Sequence, residues 1–234
     1  MGGLGNQMFQ YAAARALSLR RNTPMKLDLS EFLIDKKRSY MLGAFNIQET
    51  FASKEEVEEL RWRSTTGICR FSYKASQRLL PRRFRRTFKE NHLMQYDPAI
   101  NKTPSTVFLL GYWQNEHYFM DIQETIKHEF TLKNQVGQRS IEYYDEIIKG
   151  NSVSVHIRRG DYVSDQKTNE YHGVCGIEYY LKAVDFISSR VSKPVFFVFS
   201  DDIDWAKSNL KLDCPTRFIE NDGSSKDYED LWLM

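Results

Sequence analysis

The chain has 234 residues and a formal net charge of +2 at pH 7, with 33 lysines and arginines against 31 aspartates and glutamates. This length allows one large or two small α/β domains, and the nearly balanced charge gives no global attraction to nucleic acid. Three cysteines (Cys69, Cys175 and Cys214) are too few and too scattered for a disulfide framework or a zinc site, which favours reduced thiols in a cytosol.

The first half of the chain alternates between helical and strand patterns. A glycine-rich turn over Gly2 to Gln7 leads into apolar residues at helical spacing, which predicts a helix from Gln7 to Arg21. The elements predicted after it are a strand at Met25 to Leu29, a helix at Lys54 to Arg63, a strand at Val107 to Tyr112, and helices at Asn115 to Glu129 and near Ile141 to Ile148.

Beyond residue 150 the alternation becomes regular. The predicted order is a strand ending at Ile157, a helix at Ile177 to Ser189, a strand at Val195 to Phe199, a helix at Ile203 to Leu210, a strand at Thr216 to Glu220 and a helix from Lys226 onward. Such alternation indicates a parallel sheet wrapped by helices. Gly150 and Asn151 mark a predicted boundary between domains 1–150 and 151–234.

The strongest chemical signal follows the strand from Ser152 to Ile157, which leads directly into Arg158, Arg159, a glycine and an aspartate. Ligands of open α/β sheets bind beyond the carboxyl ends of the strands, and two guanidinium groups there can hold phosphate oxygens bidentately. Strand alternation puts His156 and Arg158 on one face and the apolar residues on the other. The pattern predicts a phosphate site; the alternative is that the arginines pair with nearby carboxylates.

The glycine-rich opening departs from a dinucleotide-binding fingerprint, because Met8 stands where the third glycine is required. Its glycines still allow close backbone approach, and the following helix offers its amino end to an anion. The amide of Asn6 can donate to a phosphate or sugar oxygen. The alternative is a plain helix-starting turn with Asn6 as the cap.

Together these segments resemble glycosyltransferase family 11, the α-1,2-fucosyltransferases of bacterial type. The resemblance spans the chain in order, and it is carried by five blocks: Gly2 to Ala12, His156 to Tyr162, Cys175 to Tyr180, Phe199 to Trp205 and Asp230 to Met234. It implies an α/β fold of the glycosyltransferase-B type, with two Rossmann-like domains facing a cleft. Residues 1–150 would then lie on the acceptor side and residues 151–234 would bind GDP-fucose.

The resemblance also implies an activity. The expected enzyme is inverting and moves L-fucose from GDP-fucose to the 2-hydroxyl of a terminal β-galactoside, in glycan or O-antigen synthesis. GDP-fucose is the donor substrate, and no separate cofactor or metal is expected. Two other functions stay open: a metal-dependent transferase, which chelation would inactivate, and a nucleotide-sugar-binding relative without catalysis, which would bind GDP without turnover.

By the same resemblance, Arg158 contacts the β-phosphate, Arg159 supports it, and Asp161 orients the arginines or acts as the catalytic base. Asp165 and Glu170 are equally good candidates for the catalytic base. The carboxylate of Asp230 would accept hydrogen bonds from the N–H groups of guanine. The alternative is that Asp230 is a solvated helix residue. The candidates for substrate binding are Asn6, Gln7, His156, Arg159, Ser200, Asp201, Asp202 and Asp230.

The segment Ser200 to Asp204 ends a strand and begins a helix, where Ser and Asp are preferred anyway. Asp202 and Asp204 also match the Asp-x-Asp pattern with which other glycosyltransferases hold a diphosphate through Mn²⁺ or Mg²⁺. We discount that clamp, because Arg158 and Arg159 already supply positive charge.

A basic segment, Arg78 to Lys89, is most simply a solvated face. The sharper interpretation is docking to anionic lipid or to a lipid-linked acceptor, with its apolar residues touching the membrane. These apolar residues are Leu79, Leu80, Phe84 and Phe88. No nucleic-acid module is recognisable, so no nucleic-acid partner is expected.

The opening residues lack a secretory signal, and the apolar runs have strand lengths rather than membrane-helix lengths. We therefore expect a bacterial cytoplasmic enzyme, with peripheral contact to the inner membrane if the basic segment docks. Both ends are expected to be incomplete, because no strand precedes Gly2 and the chain stops at Met234 within an apolar helical stretch. In the family a further block normally follows, so the second domain is expected to lack its C-terminal part.

Overall fold

A computed structural model of the chain describes residues 2–34, 38–61, 79–81, 84–160, 173, 175–220 and 227–234. The chain divides into two compact units, Met1–Asn134 and Gln135–Met234. Both contain parallel strands, which confirms the α/β class. The boundary at residue 150 and the roles assigned to its two sides stay predictions.

The first unit combines a long helix with a pair of parallel strands. Its helices are α1 (Leu4–Arg21), α2 (Lys54–Arg61) and α3 (Gln123–Glu129), and its strands are β1 (Thr87–Lys89) and β2 (Phe108–Leu110). Short 3₁₀ turns lie at Leu42–Ala44, Pro98–Lys102, Glu116–Tyr118 and Met120–Ile122. The strand predicted at Met25 to Leu29 is reduced to a single parallel bridge between Leu27 and Phe51.

Helix α1 begins three residues earlier than predicted. Gly3 is extended and forms the N-cap, so Asn6 lies within the first turn and is not the cap. At the other end Asn22 adopts the left-handed conformation, with φ 50°, that commonly closes a helix. Arg20 and Arg21 in the last turn carry the charge that suits a helix C-terminus.

The core of the first unit forms where α1 meets β1 and the turns that follow β2. Phe88 is fully buried and stacks on Trp113, with the ring centroids 6.1 Å apart. Ala13, Leu17 and Tyr118 belong to the same cluster. The prediction that Phe88 touches a membrane is therefore wrong, because strand alternation turns this residue inward.

The second unit is a three-layer α/β/α arrangement. Its strands are β3 (Asn151–Ile157), β4 (Pro194–Ser200) and β5 (Thr216–Phe218), all parallel and in the order β3-β4-β5. Its helices are α4 (Gln138–Ile147), α5 (Ile177–Ser188), α6 (Ile203–Asn209) and α7 (Asp227–Leu233). The helices α5 and α6 cover the same face, because residues of both pack in one cluster with Val198 of β4.

The two faces of β4 bury different residues, which explains its continuous apolar run. Val198 packs with residues of α5 and α6, including Tyr180 and Ala206. Phe197 and Phe199 pack on the opposite face with Leu233 of α7. A strand covered on both sides reads as an apolar run rather than an alternating one, and burying each such side chain is worth about 1.5–3 kcal/mol.

A buried ion pair ties α1 to α3 in the first unit. Arg15 Nη2 lies 2.9 Å from Glu129 Oε1, and both side chains are less than 10% exposed. The hydroxyl of Tyr11 donates to the same carboxylate at 2.6 Å. Burial, followed by this hydrogen bond, raises the pKa of Tyr11, so the phenol stays protonated.

Removing the charge at Glu129 should destabilise the chain far more than an exposed change on the same helix. We expect Glu129→Gln to lower the free energy of unfolding by about 3 kcal/mol, because it leaves the Arg15 guanidinium buried and uncompensated. The matched control is Glu124→Gln in α3, whose exposed pairing with Lys127 is worth less than about 0.5 kcal/mol. Urea unfolding measures the free energy of unfolding of both variants, provided that their curves have equal slopes. Equal losses of stability in Glu129→Gln and Glu124→Gln would contradict the stabilising role of the buried ion pair.

Candidate functional site

The arginine segment and the Ser-Asp-Asp segment meet at the carboxyl edge of the second unit's sheet. Ile157, the last residue of β3, is paired in register with Ser200, the last residue of β4. Arg158 and Asp201 therefore leave neighbouring strands side by side. This edge is where open parallel sheets bind their ligands.

The carboxylate of Asp201 binds the main chain of the arginine segment. The backbone N–H of Arg159 donates to Oδ1 at 2.7 Å, and that of Gly160 donates to Oδ2 at 3.0 Å. A Cβ at position 160 would lie only 2.8 Å from Oδ2. A side chain at position 160 would therefore force this carboxylate to shift away from the two N–H groups.

The side chain of Arg159 is engaged by the beginning of α6. Its Cζ lies 3.6 Å from the ring centroid of Trp205, a cation–π contact. Its Nε is buried and lies 3.6 Å from Asp202 Oδ2, an ion pair longer than a hydrogen bond. These contacts direct the Arg159 side chain toward the beginning of α6.

Asp202 also serves as the N-cap of α6. Its Oδ1 accepts the backbone N–H of Trp205 at 3.2 Å, and its own N–H donates to the Ser200 hydroxyl at 3.0 Å. Ser200 and Asp202 thus organise the turn between β4 and α6. Within the described ranges, no group of three or more His, Cys, Asp or Glu side chains is arranged to hold a metal ion.

Two aromatic residues near this edge were not singled out from the sequence. Trp205 stacks on Arg159, and Tyr180 of α5 is buried. Burial is the main cause of the raised pKa of Tyr180; the charges of Cys175 and Asp201 raise the pKa further, and the positive charge of Arg159 opposes the rise. The sequence could have indicated them, because both aromatic residues lie in the first turn of a predicted helix, and these helices begin at the sheet edge where ligands bind.

The remaining candidates of the second unit lie on other elements. His156 is exposed on β3 and pairs in register with Phe199. Asp230 is half-buried in α7, whose neighbouring Glu229 accepts the Ser140 hydroxyl at 2.6 Å and so ties α7 to the beginning of α4.

In the first unit, Gln7 is only 3% exposed and is engaged by the backbone. Its Nε2 donates to the carbonyls of Gly2 and Ser39, each at 2.9 Å, and its Oε1 accepts the N–H of Met41 at 3.0 Å. Through these hydrogen bonds, Gln7 stabilises the backbone around residues 2 and 39–41.

Asn6 is placed next to Gln7 but contacts a side chain instead. Its Oδ1 accepts a hydrogen bond from Gln114 at 2.7 Å. Gly2 has φ +126°, and a Cβ there would lie 2.6 Å from Asn6 Nδ2. Whether Asn6 and Gln7 contact substrate stays a prediction.

Several predicted residues lie outside the described ranges, namely Asp161, Asp165, Glu170, Arg78, Arg82 and Arg83. Of the rest of the basic segment, Leu79 is 87% exposed and Phe84 is 53% exposed. Arg86 lies 3.5 Å from Glu59, an exposed ion pair. No helix of the described part of the chain has the length and apolar character needed to cross a membrane.

A cavity of about 910 Å³ lies within the first unit, between α1, residues 23–32 and β2. Its arginines are engaged by neighbours: Arg61 pairs with Asp28 and Glu31, and Arg21 donates to the carbonyls of residues 100 and 104. Because its cations are already satisfied, we do not assign this cavity to a diphosphate.

Comparison with known proteins identifies the family. The sequence profile of glycosyl transferase family 11 matches residues 83–234. An α-1,2-colitosyltransferase of Escherichia coli is 38% identical over the whole chain and 78% of its own length. The O-antigen biosynthesis glycosyltransferase WbnK of Escherichia coli is 30% identical over the whole chain and 81% of its own length.

More distant relatives include human galactoside α-(1,2)-fucosyltransferase 1, which is 24% identical over 89% of this chain and 51% of its own length. No solved structure gives a significant match. The resemblance carried by the five sequence blocks is confirmed: the chain belongs to glycosyltransferase family 11.

Proposed function

We propose that the chain is an inverting galactoside α-1,2-L-fucosyltransferase, which moves L-fucose from GDP-fucose to the 2-hydroxyl of a terminal β-galactoside in glycan or O-antigen synthesis. The observation that carries the proposal is the meeting of Arg158 and Arg159 with the Ser200–Asp202 turn at the carboxyl edge of a parallel sheet. Relatives named as α-1,2-transferases support the linkage.

Departure of GDP leaves negative charge on the β-phosphate while C1 of the sugar becomes oxocarbenium-like. A fixed guanidinium stabilises that charge as it develops, and removing such a group costs about 3–4 kcal/mol. We assign this role to Arg158, because Arg159 is directed toward α6 and stacks on Trp205. In this assignment Arg159 supports the site without replacing Arg158.

Inversion requires the acceptor hydroxyl to attack C1 directly, with a base within hydrogen-bond reach. Asp161, Asp165 and Glu170 are equal candidates for this base, and the preferred role of Asp161 is to orient the arginines. We further propose that the Asp230 carboxylate accepts hydrogen bonds from the guanine base. We also propose that the two units form a glycosyltransferase-B architecture, in which the first unit binds the acceptor. A cytoplasmic location, a lipid-linked acceptor and docking of the basic segment to the inner membrane belong to the same proposal.

Colitosyl transfer is the second candidate, favoured by the 38% identity to an α-1,2-colitosyltransferase. Colitose is L-fucose without its 3-hydroxyl, so the two donors differ in a single hydrogen-bonding group. A site that bonds that hydroxyl discriminates strongly against the deoxy sugar, whereas an apolar site discriminates only weakly. The ratio of kcat/KM for GDP-fucose and GDP-colitose with lactose as acceptor decides between the candidates.

We expect transfer from GDP-fucose to lactose to continue in excess EDTA, because arginines rather than a metal neutralise the diphosphate in this mechanism. The measurement is release of GDP and formation of the α-1,2 linkage, with and without chelator. Loss of turnover that Mn²⁺ restores would support the metal-dependent alternative. Binding of GDP by calorimetry without any turnover would support a non-catalytic relative.

Arg158→Lys should behave almost like Arg158→Ala, with a loss of roughly 10²–10³-fold in kcat. A single ammonium cannot reproduce the planar, two-pronged contact of a guanidinium with phosphate oxygens. Arg159→Lys is the matched variant and should cost less. The assignment fails if Arg158→Lys keeps near-normal turnover, or if position 159 proves the more sensitive.

Asp202→Ala should lower stability by about 1 kcal/mol, because it removes the N-cap of α6, whereas Asp202→Ser should retain most of that stability. The control is Asp204→Ala, at an exposed position two residues later whose loss should cost about half as much or less. Thermal unfolding measures all three. Equal stabilities, together with loss of Mn²⁺-dependent turnover in both alanine variants, would instead point to a metal clamp.

A further inference from the structure

The carboxylate of Asp201 joins the ends of two strands that are distant in sequence. It accepts the N–H groups of Arg159 and Gly160 from across the sheet edge, over 42 and 41 residues respectively. Two consecutive backbone N–H groups make a small anion-binding concavity. Here a side chain of the protein fills that concavity, so these two amides hold the chain together.

The same short segment also holds the side chain of Arg159. Asp202 and Trp205 contact its guanidinium from the beginning of α6. The main chain after Arg158 is therefore fixed by Asp201, and the main chain before it is fixed by the pairing of Ile157 with Ser200. Arg158 lies between two fixed points.

We propose that Asp201 is a positioning residue, which acts through Arg158 rather than by touching the donor, and that Gly160 is its necessary counterpart. The proposal rests on the role of Arg158 in the proposed function. Preorganised charge stabilises a transition state because no reorganisation is needed as the charge develops. By fixing the turn, Asp201 holds the Arg158 guanidinium where the leaving diphosphate forms.

The first test is Asp201→Asn, which keeps one acceptor oxygen but turns an amide NH₂ toward a backbone N–H. We expect kcat to fall by about 10- to 10²-fold, the range for a displacement on the order of 1 Å, while KM for GDP-fucose changes less than about threefold. Asp204→Asn, at an exposed position in the first turn of α6, is the control and should leave both constants unchanged.

The decisive measurement is a double-mutant cycle with Arg158→Ala. If Asp201 acts through Arg158, then Asp201→Asn should cost less than about twofold in kcat once Arg158 is gone. Effects that multiply in full would show an independent contact with substrate and overturn the proposal. So would near-normal kcat in Asp201→Asn, or a loss confined to KM.

Gly160→Ala gives a second route to the same result, since its Cβ would push the carboxylate away without changing any charge. It should show the same coupling to Arg158 as Asp201→Asn. Hydrogen exchange of the Arg159 and Gly160 amides supplies a readout that needs no turnover: both should be protected in the parent chain and exposed in Asp201→Asn. If the parent chain transfers no fucose, the proposed function fails, and amides that exchange equally fast in both proteins would separately overturn the contact.

Discussion

The pairing of β3 with β4 is the constraint on which the candidate site depends. Because Ile157 lies opposite Ser200, the residues that follow each strand emerge together, and Asp201 can reach the backbone of Arg159. A register shift of one residue would turn every side chain of β3 to the opposite face of the sheet. The apolar residues that prevent such a shift, Ile157 and Val198 among them, are buried against α5 and α6, so core packing and site geometry have the same cause.

Much of the second unit could be predicted from its sequence. The alternation of apolar strands with amphipathic helices predicts the parallel sheet that the structure contains, and the two arginines after its first strand predict a phosphate site at its carboxyl edge. The partners of Asp201 and Asp202 could not be predicted, because a carboxylate at a helix start satisfies the same preference whether it caps its own helix or the neighbouring loop. Only the register, which is a property of two strands at once, distinguishes Asp202, which caps α6, from Asp201, which binds the turn after β3.

The first unit was harder to predict for a physical reason. Its motif residues were interpreted from their chemical capacity, and an amide such as Gln7 has the same capacity whether it binds a ligand or the protein's own backbone. In the structure, all of the hydrogen bonds described for Gln7 join its side chain to backbone groups of Gly2, Ser39 and Met41. Phe88 shows the related difficulty that a short strand inside a basic segment can bury its central residue while its neighbours remain solvated.

The charges at the sheet edge are the local feature on which the proposed diphosphate binding depends, because the overall charge of the chain is nearly neutral. Arg159 is offset by Asp202, and the charge of Asp201 is stabilised by two backbone dipoles at hydrogen-bond distance. Hydrogen bonds orient both carboxylates toward the protein's own turn, but they do not cancel the repulsion between a carboxylate and a phosphate. The arrangement of charges at this edge, rather than the net charge of the chain, therefore determines whether the edge attracts an anion.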